Sequence, residues 1–112
     1  MQEYVRLLSE AGERFGDDPA LIDQGGERIT DYRTFSEFMK KAASWIYTKG
    51  LSGRAFIPVR LESSMEYAAC VCGIWLSGHI AVPMGTSFPQ ERVKYICLNC
   101  EAPFIIEEDV VN

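Results

Sequence analysis

The sequence predicts an α/β fold: a three-layer, mostly parallel sheet with flanking helices, preceded by a helix and a β-hairpin. Three observations carry this. From Arg54 onward short apolar runs alternate with helical patterns. The connections between those runs are too long for hairpins. The middle helix is apolar almost all round from Tyr67 to Leu76, as a helix buried between layers must be. Strand, helix, strand, helix, strand in that order calls for parallel pairing through right-handed crossovers.

The elements follow from local pattern. Tyr4, Leu7, Leu8, Ala11 and Phe15 fall at steps of three and four, so Met1 to Phe15 reads as an amphipathic helix stopped by Gly16. Ala20–Asp23 and Glu27–Thr30 flank Gln24-Gly25-Gly26, a hairpin with glycines where positive φ is required. Asp31 is placed to cap a second helix over Tyr32–Lys49, with Gly50 at its stop. Phe35, Phe38, Met39, Ala42, Ala43 and Ile46 form its apolar face, and Ser36, Glu37, Lys40, Lys41 and Ser44 its solvated side. Arg54–Leu61 reads as a strand in which Pro58, lacking an N–H, points to an edge or a strand end. Ser63-Ser64-Met65-Glu66 reads as a capping box opening the buried helix, which Gly78 ends. Ile80–Pro83 is a short strand. Ser87-Phe88-Pro89-Gln90 reads as a second capping box, before a helix with Val93, Ile96, Cys97 and Cys100 inward. Pro103–Glu107 closes the series as the last strand.

Composition bounds the function. The 112 residues suffice for one small domain. A 47% hydrophobic and 24% charged balance is that of a folded globular chain. Eleven basic residues against sixteen acidic give a net charge of -5, with no Lys/Arg cluster to neutralise phosphates, so nucleic acid is not an expected partner. Tyr67–Leu76, the longest apolar stretch, is about half of the roughly 20 residues a membrane span needs. No membrane span is expected, and the first six residues lack the pattern of a secretory signal, so the expected location is cytoplasmic. Cys70, Cys72, Cys97 and Cys100 read as buried thiols in a reducing compartment. The sharper reading, zinc held by Cys70-Val71-Cys72 and Cys97-Leu98-Asn99-Cys100, is disfavoured because residues i and i+2 of a helix point to different sides.

Trp75–Met84 (WLSGHIAVPM), continued by Ser87–Ile96 (SFPQERVKYI), resembles a core motif of the adenylate-forming superfamily. That superfamily includes acyl-CoA synthetases, amino-acid adenylation domains and D-alanine carrier-protein ligases. The run is similar to the family's helix end, glycine, small-residue strand and Val-Pro, then its Ser-Tyr-Pro-x-x-Arg-hydrophobic-x-Tyr-Ile phrase. Ile29–Phe35 resembles the family's Thr-Tyr-x-x-Leu helix start, with Asp31 in the threonine's place. Phe15–Ile22 and Leu61–Glu66 also look like family segments, so the likeness covers nearly the whole chain in order. Gly85 departs from the family's usual Asp or Asn.

The resemblance implies an N-terminal subdomain spanning residues 1–112, with helix, hairpin and helix over 1–53 and a βαβαβ unit over 54–112. It would be part of a larger layered domain. The parent would be an ATP- and Mg-dependent ligase that activates a carboxylate as an acyl-adenylate and passes it to a thiol, and the rest of that enzyme would be this segment's partner. The chemistry needs a Ser/Thr/Gly-rich loop with a lysine, an acid for magnesium or ribose, and a late lysine. None stands in this sequence, so no catalytic, cofactor-binding or metal residue is assigned to the segment and none of its own cofactors is expected. Gly50-Leu51-Ser52-Gly53 lacks a following lysine and reads as a turn. Arg92 reads as an ion-pair or capping residue, and His79 as a helix-end residue. A self-standing, non-catalytic α/β interaction module derived from such an enzyme is the alternative. A phospho-receiver is discounted, since only Glu62 follows the first parallel strand. Surface left uncovered by the missing layers is expected to pair as a homodimer.

Overall fold

The computed structural model describes residues 2–22, 29–62 and 64–108. Their elements are α1 (Gln2–Arg14), β1 (Pro19–Ile22), β2 (Ile29–Asp31), α2 (Tyr32–Tyr47), β3 (Phe56–Arg60), α3 (Met65–Leu76), β4 (Ile80–Met84) and α4 (Gln90–Asn99). β1 and β2 pair antiparallel, with a register irregularity between Pro19 and Leu21. The expected Gln24-Gly25-Gly26 turn lies outside the described residues.

β3 and β4 pair in parallel from Phe56↔Ile80 to Arg60↔Met84. The expected third strand is reduced to one parallel bridge, Val59↔Ile106, in which Ile106 N–H donates to Pro58 O and Arg60 N–H to Ile106 O. Pro58 explains the reduction. Its carbonyl faces Ile106, so its nitrogen does too, and the next rung would need an N–H that proline lacks. Pro58 is therefore neither at an edge nor at a strand end, as the sequence suggested, but fully buried in the central strand. Pro83 does sit on an edge. Ile80 N–H bonds back to Ala55 O, so Ile80, Val82 and Met84 face β3 and Pro83 faces outward, where it blocks further pairing.

With β3 central, right-handed crossovers place α3 and α4 on opposite faces of the sheet. Ile57, Val59 and Leu61 point to the α3 side, where they meet Cys70, Ile74, Ile46 and Ile106 in the main core. A second cluster, Phe35, Met39, Met65, Ala69 and Cys72, fills the α2–α3 interface. The helices cross closely at Gly73: an added Cβ there would lie 2.8 Å from Ala42 Cβ and 2.9 Å from Met39 O. α1 crosses α2 at Gly12, where a Cβ would lie 2.7 Å from Ser36 Cβ. This corrects the expected solvated side of α2, since Ser36 is buried under α1. Leu7 and Phe15, expected inward, are about half exposed.

The helix ends differ in detail from the expected caps. Asp31 Oδ1 accepts the Thr34 N–H at 2.8 Å, as expected, and α2 stops at Tyr47 with Thr48 as its C-cap, before Gly50 at φ 61°. α3 is capped by Ser64, whose hydroxyl accepts the Tyr67 N–H, one position later than the box predicted. α4 has Pro89 at its N-cap and no side-chain cap; Ser87 lies inside a turn closed by Phe88 N–H on Gly85 O.

Candidate functional site

The carboxyl ends of the parallel strands bring together residues that are far apart in sequence. β3 alternates, so Arg60 shares a face with Pro58 and points toward the loop entering α4. Its guanidinium donates from one nitrogen to Glu107 Oε2 at 3.2 Å and from the other to the carbonyls of Thr86 and Phe88 at 3.1 and 3.2 Å. Thr86 Oγ1 in turn donates to Glu62 Oε1 at 3.1 Å. Arg60 thus ties together the end of β3, the turn after β4 and the residue after the Ile106 bridge. Beside it lies a shallow cavity of about 410 Å³ lined by Arg60, Thr86, Glu107 and Glu108. Among the described residues, none partners the buried Arg60 Nε in a hydrogen bond.

In open α/β sheets ligands bind outside the carboxyl ends of the strands, which makes this end the place to test for a nucleotide. The residues present do not fit one. Both terminal nitrogens of Arg60 are engaged by a carboxylate and two carbonyls, and of the other lining residues Glu107 and Glu108 carry carboxylates that would repel phosphates. Among the described residues, no group of three His, Cys, Asp or Glu side chains could hold a metal ion. The Thr86–Glu62 hydrogen bond is exposed to solvent. What the arrangement does is fix backbone.

The opposite end of the strands shows the same character. His79 Nδ1 accepts the Ala55 N–H at 3.0 Å, which assigns the imidazole proton to Nε2. His79 N–H bonds Ile74 O and Gly78 N–H bonds Trp75 O, with Gly78 at φ 86°, a Schellman ending for α3. His79 is therefore a helix-end residue that pins the entry to β3. Gly50 and Gly53, both at positive φ, shape the connection that turns α2 toward β3. Among the described residues Arg92 lies over the Phe88 ring, 4.4 Å from its centroid, a cation–π contact at a position where the sequence led to an ion pair or a cap.

The four cysteines are free thiols. Cys70 and Cys72 are buried on α3, and burial, helped by the nearby Glu66, pushes the Cys70 thiol up to about 11. Cys97 and Cys100 are half-buried at the end of α4. Sequence reading missed the Arg60 cluster. The available signal was a lone arginine closing an apolar strand and a glutamate closing another short apolar run.

A family model described as AMP-binding enzyme matches residues 8–112. Surfactin synthase subunit 1 of Bacillus subtilis (strain 168) is 32% identical over 105 residues, which are 94% of this chain and 3% of that protein. In structure, the chain is similar to the Klebsiella oxytoca NpsA N-terminal subdomain in complex with anthranilyl-AMSN. The TM-score is 0.80 at 22% identity, covering 94% of this chain and 27% of that one. It is equally similar to the anthranilate CoA ligase AuaEII in complex with anthranoyl-AMP, with a TM-score of 0.81 at 21% identity, covering 92% of this chain and 20% of the ligase. At such identities the structural likeness shows the fold. The chain spans a small part of each protein it matches.

Proposed function

The chain belongs to the AMP-binding enzyme family, and on that premise we propose that residues 1–112 are the N-terminal scaffold segment of an ATP-dependent ligase. The parent activates a carboxylate, an amino acid or a fatty or aryl acid, as an acyl-adenylate for transfer to a thiol. It uses ATP and magnesium, and the segment alone is inactive. It comprises a helix–hairpin–helix portion over 1–53 and a βαβαβ unit over 54–112, and it works in the cytoplasm. Among the described residues, no helix is long and apolar enough to cross a membrane.

The observation that carries the reading is the use made of the polar groups at both ends of the sheet. Arg60, Thr86 and His79 each hold backbone or a neighbouring side chain, the work of a scaffold. The exposed Tyr95 and Leu98 of α4 and Phe56 of β3 are the surface offered to the remainder of the parent. In its absence, that surface pairs two copies as a homodimer, detected by analytical ultracentrifugation; a strictly monomeric profile at high micromolar concentration argues against it.

The scaffold reading is tested by exchanging this chain for the matching segment of the NpsA N-terminal subdomain. Calorimetry with anthranilyl-AMSN should show binding to the chimera and none to the 112-residue chain. Binding by the isolated chain, or a folded chimera that does not bind, would refute the reading.

A further inference from the structure

We propose that Cys97 and Cys100 form a reversible redox modification site, a dithiol at the exposed end of α4 that closes to an intrahelical disulfide. The two thiols are three residues apart, on one side of the final turn, and both are half-buried, with the exposed Leu98 and Asn99 between them. Residues so spaced on a helix have Cβ atoms about 5–6 Å apart, whereas a disulfide spans about 3.5–4.5 Å between them. Closure therefore needs a movement of about 1–2 Å, and this end of the helix can supply it. Cys100 is the C-cap, at φ -96° and ψ 4°, already outside the regular helix. Glu101 follows at φ 53°, a conformation costly for a residue with a Cβ, and Ala102 N–H reaches back to Cys97 O at 3.0 Å. The turn is held by a few terminal hydrogen bonds, so it yields to a new covalent link. A link formed under that strain is also easily reduced.

With oxidised glutathione as oxidant the step balances. One cysteine thiolate attacks a glutathione sulfur, forming a mixed disulfide and releasing one glutathione thiol. The second thiolate attacks the protein sulfur of that mixed disulfide and releases the other. The two protein thiols give up two electrons and two protons, and two reduced glutathione molecules leave. Burial, the adjacent Cys100 and Glu107 raise the Cys97 thiol above its ordinary value, so the exchange accelerates as pH rises. The segment after Cys100 leads to Phe104, which meets Trp45 edge-on with centroids 5.3 Å apart. Closing the turn shifts this contact. Cys70 and Cys72 are an internal control, because they are buried and stand two apart on α3, facing different sides.

Trypsin separates the two pairs: Leu61–Arg92 carries Cys70 and Cys72, and Tyr95–Asn112 carries Cys97 and Cys100. The folded chain is incubated with oxidised glutathione, alkylated and digested. The expected product is a Tyr95–Asn112 peptide lighter by two hydrogens and closed to alkylation, with Leu61–Arg92 unchanged. Dithiothreitol should reverse it, C97S and C100S should abolish it, and Trp45 emission should change with the same time course in a W75F background. Two alkylatable thiols in Tyr95–Asn112, glutathione retained on either cysteine of the wild type without the internal link, or unchanged Trp45 emission on closure would each overturn the proposal.

Discussion

Replacing Gly73 with alanine should destabilise the chain although it improves helix propensity. In an open helix interior Gly→Ala gains about 1 kcal/mol. At the α2–α3 crossing the new Cβ would sit 2.8 Å from Ala42 Cβ, 2.9 Å from Met39 O and 3.2 Å from Ala43 N. Carbon atoms rest at about 3.5–4.0 Å, and two of these three neighbours are backbone atoms that cannot swing aside. The helices must part by several tenths of an ångström, loosening Met39, Ala69 and Cys72 in the cluster between them. Overpacking costs about 1–3 kcal/mol, and three short contacts at once put this site in the upper part of that range, about 2–3 kcal/mol, so after the propensity gain of about 1 kcal/mol the net loss is about 1–2 kcal/mol. For a chain of this size that is a fall in Tm of about 4–8 °C. Urea denaturation followed by circular dichroism reads the change, with G85A as control, since a Cβ there meets only ordinary contacts from 3.5 Å outward. A G73A variant as stable as the wild type, or more so, would show that the helices do not cross at this distance.

Two further outcomes follow from the cores of the two sites. R60K keeps the charge, but a single ammonium cannot reproduce the guanidinium fork that reaches Glu107, Thr86 O and Phe88 O; a loss of about 1–2 kcal/mol in chemical denaturation is expected, and an unchanged midpoint counts against the hub. The folded-state pKa of Cys70 is raised from 9.0 to about 11, so its contribution is fully present below about 9 and is lost as pH rises toward 11. The stability gap between wild type and C70A should therefore shrink by roughly 2 kcal/mol across that window, and a constant gap contradicts the assigned burial.

Much of this fold is legible locally, because the period of apolar residues and the end signals are local. Asp31 and Gly78 end their helices as their residue types predict. What local reading misses depends on partners distant in sequence. Pro58 reads as an edge residue by its missing N–H, yet it occupies the central strand, where only the side facing Ile106 lacks a donor. Ser36 reads as solvated by its polarity, yet Gly12 brings α1 down onto it. Neither capping box forms as read: Ser64 takes the first cap and Pro89 the second position without a side-chain cap, since the chain's exit from each strand sets where the helix starts. The Arg60 cluster joins residues 26, 28 and 47 positions away, which no window of helical or strand length contains.

The most direct test of the scaffold account is ATP–pyrophosphate exchange with a panel of amino, aryl and fatty acids. It is run on the 112-residue chain beside the same chain continued through the rest of an adenylation domain. Preorganised charges aimed at the transition state supply most of an enzyme's rate enhancement, and at the carboxyl ends of this sheet Arg60 holds Glu107 and two backbone carbonyls while Glu62 holds Thr86. The account predicts exchange in the extended protein and none above the protein-free background in the short one. Exchange catalysed by Met1–Asn112 alone would contradict it.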